Sequence, residues 1–527
     1  MTGVENLTTI ADLARQQAEA QPDKIAFKFE GQSIAYGTFN DNTNQAANGL
    51  LSLGVTADER IGYLGKNTHE YYELLIAACK AGGVMCPVNW RLALPEIAYI
   101  FNDARPRIVF IGPEFVHVID ELASQAPTIE HFIVLETPHA DYPVYHQWRA
   151  PFDTADPHTP RSGDDDAIQL YTSGTTGRPK GAVISNRALL VTHKRQASGH
   201  APEWSHWSPQ DVSLIAMPIF HIGGTSWGVT GLANGATGVV MREFDPAKVL
   251  DFIDEHRISK LFLVPAAMQF VVNQPRAREI DYSQLKYMLY GASPIPLELL
   301  KTCIDVFKCG FVQMYGMTET SGTIVVLDPE DHDPNGNEKM RSAGKPLEGI
   351  EIAILGDKGE HLPPRTVGEI ATRSDMNMTR YWNLPDATAA TFTGDGWLRT
   401  GDAGYLDEDG YVYIYDRVKD LIISGGENIY PAEVENAIYG HPSVEDVAVV
   451  GVPDDKWGEA VKACVVVKDS ATLSEDDVIA YARERIAAYK CPKSVDFIEA
   501  LPRNPSGKIL RRQSRAGYWR GTERSVN

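Results

Sequence analysis

The segment Tyr171-Thr172-Ser173-Gly174-Thr175-Thr176-Gly177-Arg178-Pro179-Lys180-Gly181 concentrates the groups that phosphate oxygens attract. Hydroxyls and backbone N–H groups of small residues donate, glycines let the chain curl, and Lys180 adds positive charge. An apolar strand, Ala167–Leu170, leads into it. A flexible polar turn has the same composition. The P-loop of common NTPases is excluded: that motif runs Gly-x4-Gly-Lys-Ser/Thr, whereas here Pro179 precedes Lys180 and Gly181 follows it.

Other chemistry-bearing residues lie far apart in the chain. Gly291, Ala292 and Ser293 end a strand with little bulk, leaving room for a flat base beside the backbone. Glu319, in Tyr315-Gly316-Met317-Thr318-Glu319, is a hard oxygen donor of the kind Mg2+ takes together with phosphate. Read alone, it is equally a helix-start or surface carboxylate. Asp402, in Thr400-Gly401-Asp402, is an acceptor-only carboxylate of a type that turns also favour. Lys508 sits in Pro505-Ser506-Gly507-Lys508, a turn able to present a long cation. His221 closes Met217-Pro218-Ile219-Phe220-His221 ahead of Gly223-Gly224, a setting where a lone histidine is usually half-buried and satisfied.

With Tyr290-Gly291-Ala292-Ser293 and Asp416-Arg417-Val418-Lys419-Asp420, these motifs stand in the order found in the adenylate-forming (ANL) superfamily. The sequence resembles the acyl-CoA synthetase branch over nearly its whole length, and Val88–Leu92 and Ala516–Arg520 look most like bacterial fatty-acyl-CoA synthetases. The resemblance implies an ATP-dependent carboxylic acid–CoA ligase that passes through an acyl-adenylate, with Mg2+ and coenzyme A as the other participants. It places ATP or AMP among Thr172, Ser173, Gly174, Thr175, Thr176, Gly177, Lys180, Gly291, Ala292, Ser293, Gln313, Met314, Tyr315, Gly316, Thr318, Asp402 and Arg417. Adenine would stack on Tyr315, Asp402 would meet the ribose hydroxyls, Thr318 would lie near the α-phosphate, and Glu319 with Thr172 would hold Mg2+. Lys508, Glu319, Thr318 and His221 are the implied catalytic set, and Lys419 the hinge. Ser424, Gly425 and Gly426 would line the pantetheine tunnel, and His221, Thr225, Trp227, Gly316, Met317 and Thr323 the acyl pocket. Thr225 stands where some long-chain members carry a gating tryptophan, which leaves medium-chain, aryl and steroid-side-chain acids open beside a medium- to long-chain fatty acid. A carrier-protein-loading adenylation enzyme, a luciferase-like oxygenase and a non-catalytic nucleotide-binding regulator share the nucleotide motifs.

The elements that must position these residues follow an α/β pattern. Short apolar runs at Val212–Met217, Gly238–Met241, Leu261–Val264, Tyr287–Tyr290 and Phe311–Tyr315 alternate with helical segments, favouring mostly parallel, covered sheets with ligands beyond the strand ends. The spacing predicts a helix over Leu7–Ala20 capped by Thr8 or Thr9, strands at Ile25–Phe29 and Ile34–Tyr36 around Gly31, and a connecting loop over 136–165. A boundary near 417–420 separates a large domain, 1–418, from a small mobile α+β domain, 419–527, with a helix at Pro431–Tyr439, strands at Val444–Gly451 and Val461–Val467, and a helix at Glu475–Ala488. At 527 residues the chain is too long for one core. Forty-nine basic against 70 acidic residues give a net charge of −21, which argues against non-specific nucleic-acid binding. Six scattered cysteines form no CxxC pair, and no HExxH motif suggests zinc. The N-terminus lacks a secretory pattern and no apolar run is long enough to span a bilayer, so the cytoplasm is expected. The sequence leaves a homodimer open.

Overall fold

The structure is a computed structural model describing residues 7–172, 178–197, 201–356, 358–417, 420–424, 427–454, 456–469, 471–503 and 509–519. Among the described residues, two mostly parallel sheets dominate. One has nine strands and runs from Lys345–Pro346 through Gly322–Leu327, Gly310–Met317, Tyr287–Gly291, Lys260–Leu263, Val212–Ile215 and Thr237–Val240 to Ile25–Phe29 and Gln32–Ala35. The other has seven, in the order Arg380–Tyr381, Lys180–Ser185, Asp166–Thr172, Val84–Pro87, Arg60–Leu64, Ile108–Ile111 and His131–Val134. In both, the central pairs are parallel and the antiparallel pairs lie toward the edges. Helices fill the space between and around them, as buried parallel strands require.

That packing is tight enough to dictate residue type. A Cβ on Gly228, in the helix Ile222–Ala233, would stand 2.2 Å from the ring of the fully buried Tyr72 in the helix His69–Ala81. The second helix starts where the Thr68 hydroxyl accepts from the Glu70 N–H and stops at Gly82, whose φ of +91° suits glycine.

Several expectations need correction. The first helix spans Ala11–Ala20, and neither threonine caps it. Instead the Asp12 carboxylate, from inside the first turn, accepts the N–H groups of Thr8 and Thr9 at 2.8 Å each. The second hairpin strand is Gln32–Ala35, and Tyr36 opens a helix, its buried hydroxyl donating to the Ala236 carbonyl at 2.6 Å. Within 136–165 lies a helix, Tyr145–Arg149, too short to show a period; Tyr145 donates to Glu73 at 3.0 Å, and the Trp148 ring occupies the space a Cβ on Gly49 would need. An antiparallel four-stranded sheet (Glu351–Leu355, Gly368–Arg373, Leu398–Leu406 and Val412–Arg417) was not foreseen.

In the small C-terminal region the helix Pro431–Tyr439 matches the expectation, and the strands extend to Val444–Asp454 and Gly458–Val467. The next helix ends at Arg483 rather than Ala488, after a start capped by Ser474. All six cysteines are free thiols, five of them buried. No helix among the described residues is long and apolar enough to cross a membrane.

Candidate active site

The strands that flank the glycine- and hydroxyl-rich segment are antiparallel partners. Thr172 and Lys180 pair directly across the antiparallel strands Asp166–Thr172 and Lys180–Ser185, so the two ends of the loop are fixed. Ser173, Gly174, Thr175, Thr176 and Gly177 lie outside the described residues. The base of the hairpin is anchored by charge: buried Asp166 takes Arg60 at 2.9 Å and Arg380 at 2.7 Å. Buried carboxylates need such partners, because an unpaired charge there is strongly destabilising. Nearer the loop, the Gln169 amide donates to the Tyr171 hydroxyl, which donates to Asp103 at 2.5 Å.

Across from it, Tyr287–Gly291 and Gly310–Met317 run parallel, with Gly291 beside Met314. A Cβ on Gly291 would lie 2.1 Å from the Met314 carbonyl oxygen, so this glycine is demanded by the neighbouring strand. This steric demand stands beside the expectation that its missing bulk serves a base. Ala292 then takes φ +66°, turning the chain outward so that it is exposed and Ser293 is half-buried. Gln313 accepts from the Tyr290 hydroxyl at 3.2 Å, and Met314 packs on the core edge. The Tyr315 hydroxyl donates to the Asp402 carboxylate at 2.8 Å, uniting the expected adenine and ribose residues across 87 positions of sequence. Asp402 is buried and lies opposite Arg417 in strand register; the Arg417 side chain is outside the description.

Beyond Tyr315 the chain makes a hairpin whose tight turn carries Thr318 and Glu319. A Cβ on Gly316 would fall 1.9 Å from the Gly322 carbonyl oxygen, so glycine there sets the closeness of the two strands. Glu319 is 5% exposed, and its Oε1 accepts from Thr172 Oγ1 at 3.3 Å and from the Tyr381 hydroxyl at 2.7 Å. A hydrogen bond to a charged group contributes about 1.5–3 kcal/mol. The Met378 N–H donates to the Glu319 carbonyl at 2.8 Å. The Lys180 ammonium lies 4.9 Å from the centre of the Tyr381 ring. Thr172, Lys180 and Glu319 are thus brought together, and sequence reasoning missed the tyrosine that joins them. The only sequence signal was the cluster of large polar-headed side chains in Arg380-Tyr381-Trp382.

The donor set fits Mg2+. Among the described residues no group of three or more His, Cys, Asp or Glu side chains could cage a metal. One buried carboxylate beside a hydroxyl and a phosphate-type loop is the arrangement by which Mg2+ is held partly by protein and partly by substrate phosphates.

His221 precedes the helix Ile222–Ala233, and its ring packs on Phe220 at 4.6 Å. Its buried Nε2 has no hydrogen-bond partner among the described residues. Burial pushes its pKa down to about 4, helped by the positive charge of Arg91, which stacks on Trp90 and pairs with Glu243. Met317 and Thr323 are half-buried, near one another at the hairpin end where Met317 faces Gly322 and Gly316 faces Thr323. Thr225 and Trp227 are placed differently from their neighbours. Thr225 is fully buried, donating to the Ile219 carbonyl at 2.6 Å and bonded to Tyr71 at 2.7 Å. Trp227 donates to the Leu214 carbonyl and packs between Trp207 and Phe262.

Ser424 is half-buried and pairs with Glu427 and Gly458 in a small sheet. Lys419, Gly425, Gly426 and Lys508 lie outside the described residues. Two arginines that flank Lys508 in the sequence have acidic partners. Arg503 pairs with Asp446 at 2.5 Å, and Arg511 grips Glu435 through two bonds of 2.9 and 2.6 Å.

Comparison with known proteins agrees with this geometry. The family described as AMP-binding enzyme matches residues 14–382, and the AMP-binding enzyme C-terminal domain matches residues 433–508. A fatty acid–[acyl-carrier-protein] ligase, ScoC, of Streptomyces coeruleorubidus is 39% identical over 99% of this chain and 98% of its own. A long-chain-fatty-acid–CoA ligase, FadD13, of Mycobacterium tuberculosis is 36% identical over 97% and 99% respectively. Among solved structures, the anthranilate CoA ligase AuaEII in complex with anthranoyl-AMP superimposes with a TM-score of 0.90 at 26% identity, covering 98% of this chain and 99% of the other.

Proposed function

Because this chain belongs to the AMP-binding enzyme family, we propose that it is an AMP-forming ligase joining a carboxylic acid to coenzyme A through an acyl-adenylate. The observation that carries the reading is the convergence of Thr172, Lys180 and Glu319 at one place, with the Tyr315–Asp402 pair on the adjoining strand.

The acid's carboxylate attacks the α-phosphorus of ATP and pyrophosphate leaves; the CoA thiol then attacks the acyl-AMP and AMP leaves. The first step needs positioning and charge stabilisation rather than a covalent enzyme intermediate. Tyr315 offers a face to adenine and Asp402 accepts from the ribose. Residues 173–177 and Lys180 serve the phosphates, and Thr318 lies by the α-phosphate. Mg2+, when bound, neutralises charge on the phosphate oxygens, and Glu319 with Thr172 would hold it. His221, kept neutral by burial, borders the carboxylate end of the acyl pocket. Lys508 brings its ammonium to the oxygens on which charge develops, a contact worth about 3–4 kcal/mol in such sites. Residues 419–527 form the small domain that reorients about Lys419 between the steps, bringing Ser424, Gly425 and Gly426 to the pantetheine arm.

The acid we favour is a medium- to long-chain fatty acid. Support comes from the fatty-acid ligases named above. The 39% identity to a ligase acting on an acyl carrier protein favours a second reading, in which a carrier's pantetheine replaces free CoA. Purified protein with Mg-ATP, either CoA or holo-carrier protein, and a panel of aliphatic, aromatic and steroid-side-chain acids decides between them. AMP formed together with CoA thioester supports the proposal. AMP with thioester only on the carrier moves it to the second reading. No AMP from any acid refutes both.

A further inference from the structure

We infer that Tyr381 is a positioning residue for adenylation, its hydroxyl fixing the carboxylate of Glu319 while its ring face fixes the ammonium of Lys180. The inference rests on the adenylating reading of the site. Thr172 reaches Glu319 Oε1 at 3.3 Å, the long end of hydrogen-bond range, whereas Tyr381 reaches the same oxygen at 2.7 Å. Tyr381 therefore supplies most of the restraint on that carboxylate. Both donors use Oε1, and no described residue donates to Oε2, which leaves that oxygen for a hard cation. The ring's face meanwhile lies 4.9 Å from Lys180 Nζ, within the range of cation–π attraction. One side chain thus contacts both the carboxylate and the ammonium, through its hydroxyl and its ring face respectively.

Such a part works only if it is itself fixed, and Tyr381 is 7% exposed and tied on every side. Its backbone pairs with Ala182 in the strand that leaves the phosphate loop, and its N–H donates to Thr388 at 3.0 Å. Next to it, the Arg380 guanidinium holds Asp166 through bonds of 3.1 and 2.7 Å. On the other side Trp382 donates its ring N–H to the Asp103 carbonyl at 3.0 Å and lies under Arg60 at 3.6 Å. The Trp382 backbone N–H donates to the Gly181 carbonyl at 2.7 Å. The three-residue strap 380–382 thus locks the loop-bearing hairpin to the turn that carries Glu319. Residues that orient a metal ligand in this way typically change metal affinity by about 10–100-fold when altered.

The test reads metal binding without turnover. Mn2+ replaces Mg2+, α,β-methylene-ATP replaces ATP, and paramagnetic resonance of free Mn2+ gives the dissociation constant for wild-type protein and for Tyr381→Phe. Loss of the hydroxyl is expected to weaken Mn2+ by about tenfold, with the thermal midpoint near that of wild type. Weakened Mn2+ binding is also expected in Arg380→Gln, which keeps the hydroxyl and loosens its strap; this variant serves should Tyr381→Phe not fold. A folded variant that binds Mn2+ as wild type does overturns the inference, as does a fall in melting temperature with an unmoved Mn2+ isotherm. If wild-type protein itself binds no Mn2+-nucleotide, the adenylating reading fails instead.

Discussion

Replacing Gly316 by alanine tests whether backbone closeness in the Tyr315–Thr323 hairpin sets the position of Glu319. The added Cβ would start 1.9 Å from the Gly322 carbonyl oxygen, 2.7 Å from its carbon and 3.0 Å from the Thr323 Cα, all backbone atoms that cannot rotate away. A carbon–oxygen contact of about 3.3 Å is needed, so the strands must part by roughly 1.4 Å. That strain costs about 1–3 kcal/mol of stability. The turn between the strands carries Glu319, whose bond from Thr172 is already 3.3 Å long and would break. A displacement of about 1 Å at reacting groups lowers rates by roughly a hundredfold. Thermal melting together with acid-dependent pyrophosphate release measures both effects. Gly394→Ala is the control: its Cβ would meet nothing within 4 Å, so stability should stay within about 0.5 kcal/mol and the rate should be unchanged. A Gly316→Ala protein with wild-type melting and wild-type adenylation would refute the reasoning.

Three further outcomes follow from buried charge. Burial and the Arg91 charge hold His221 at about 4, so it stays neutral from pH 5 to 8; His221→Gln should leave the shape of the pH–rate profile unchanged around pH 6.5, and a lost limb there would count against a neutral His221. Burial works to raise the pKa of Asp156, but its bonds from Arg15 and the His158 N–H, with the charges of Lys80 and Arg15, bring it below the usual carboxylate range. The stability it contributes is therefore fully present above about pH 4 and lost as pH falls through the lowered value, so Asp156→Asn should flatten the acid limb of melting temperature against pH. Lys80 is fully buried and donates to Asn40 at 2.7 Å, Thr43 at 2.9 Å and Asn44 at 2.5 Å; Lys80→Ala strands those acceptors and Asp156, and denaturant titration should show a loss of about 3–5 kcal/mol.

What the sequence disclosed depended on how local the cause was. The phosphate-type loop was legible because its chemistry lies within eleven consecutive residues, and the strand leading into it follows from the short apolar run Ala167–Leu170, whereas the strand leaving it was not foreseen. The helix at Pro431–Tyr439 was legible because proline suits a first turn. The antiparallel sheet of 351–417 was not, since alternation alone does not separate its strands from the parallel ones. Gly291 was recognised, but a further reason for glycine was not: the Met314 carbonyl that excludes a side chain there comes from strand pairing that no residue spacing reveals. Tyr381 was missed for the same reason, because its hydroxyl acts on a residue 62 positions earlier. Thr225 was placed in the acyl pocket by resemblance alone, and its hydroxyl bonds to Ile219 and Tyr71 inside the protein could not be read from spacing.

The strap formed by residues 380–382 also orders events during synthesis. Of its partners, Arg60, Asp103, Asp166, Gly181, Ala182 and Glu319 are made before it and Thr388 after it, and Asp166 precedes Arg380 by 214 residues. At about 5–20 residues per second, a ribosome takes roughly 10–40 s to travel from Asp166 to Arg380. Throughout that interval the hairpin strand Lys180–Ser185 has an unpaired edge, and Asp166 lacks one of its two arginines. An exposed strand edge invites pairing with another chain. The edge of Lys180–Ser185 is thus open to mispairing from the time that strand is made until the strap closes over it.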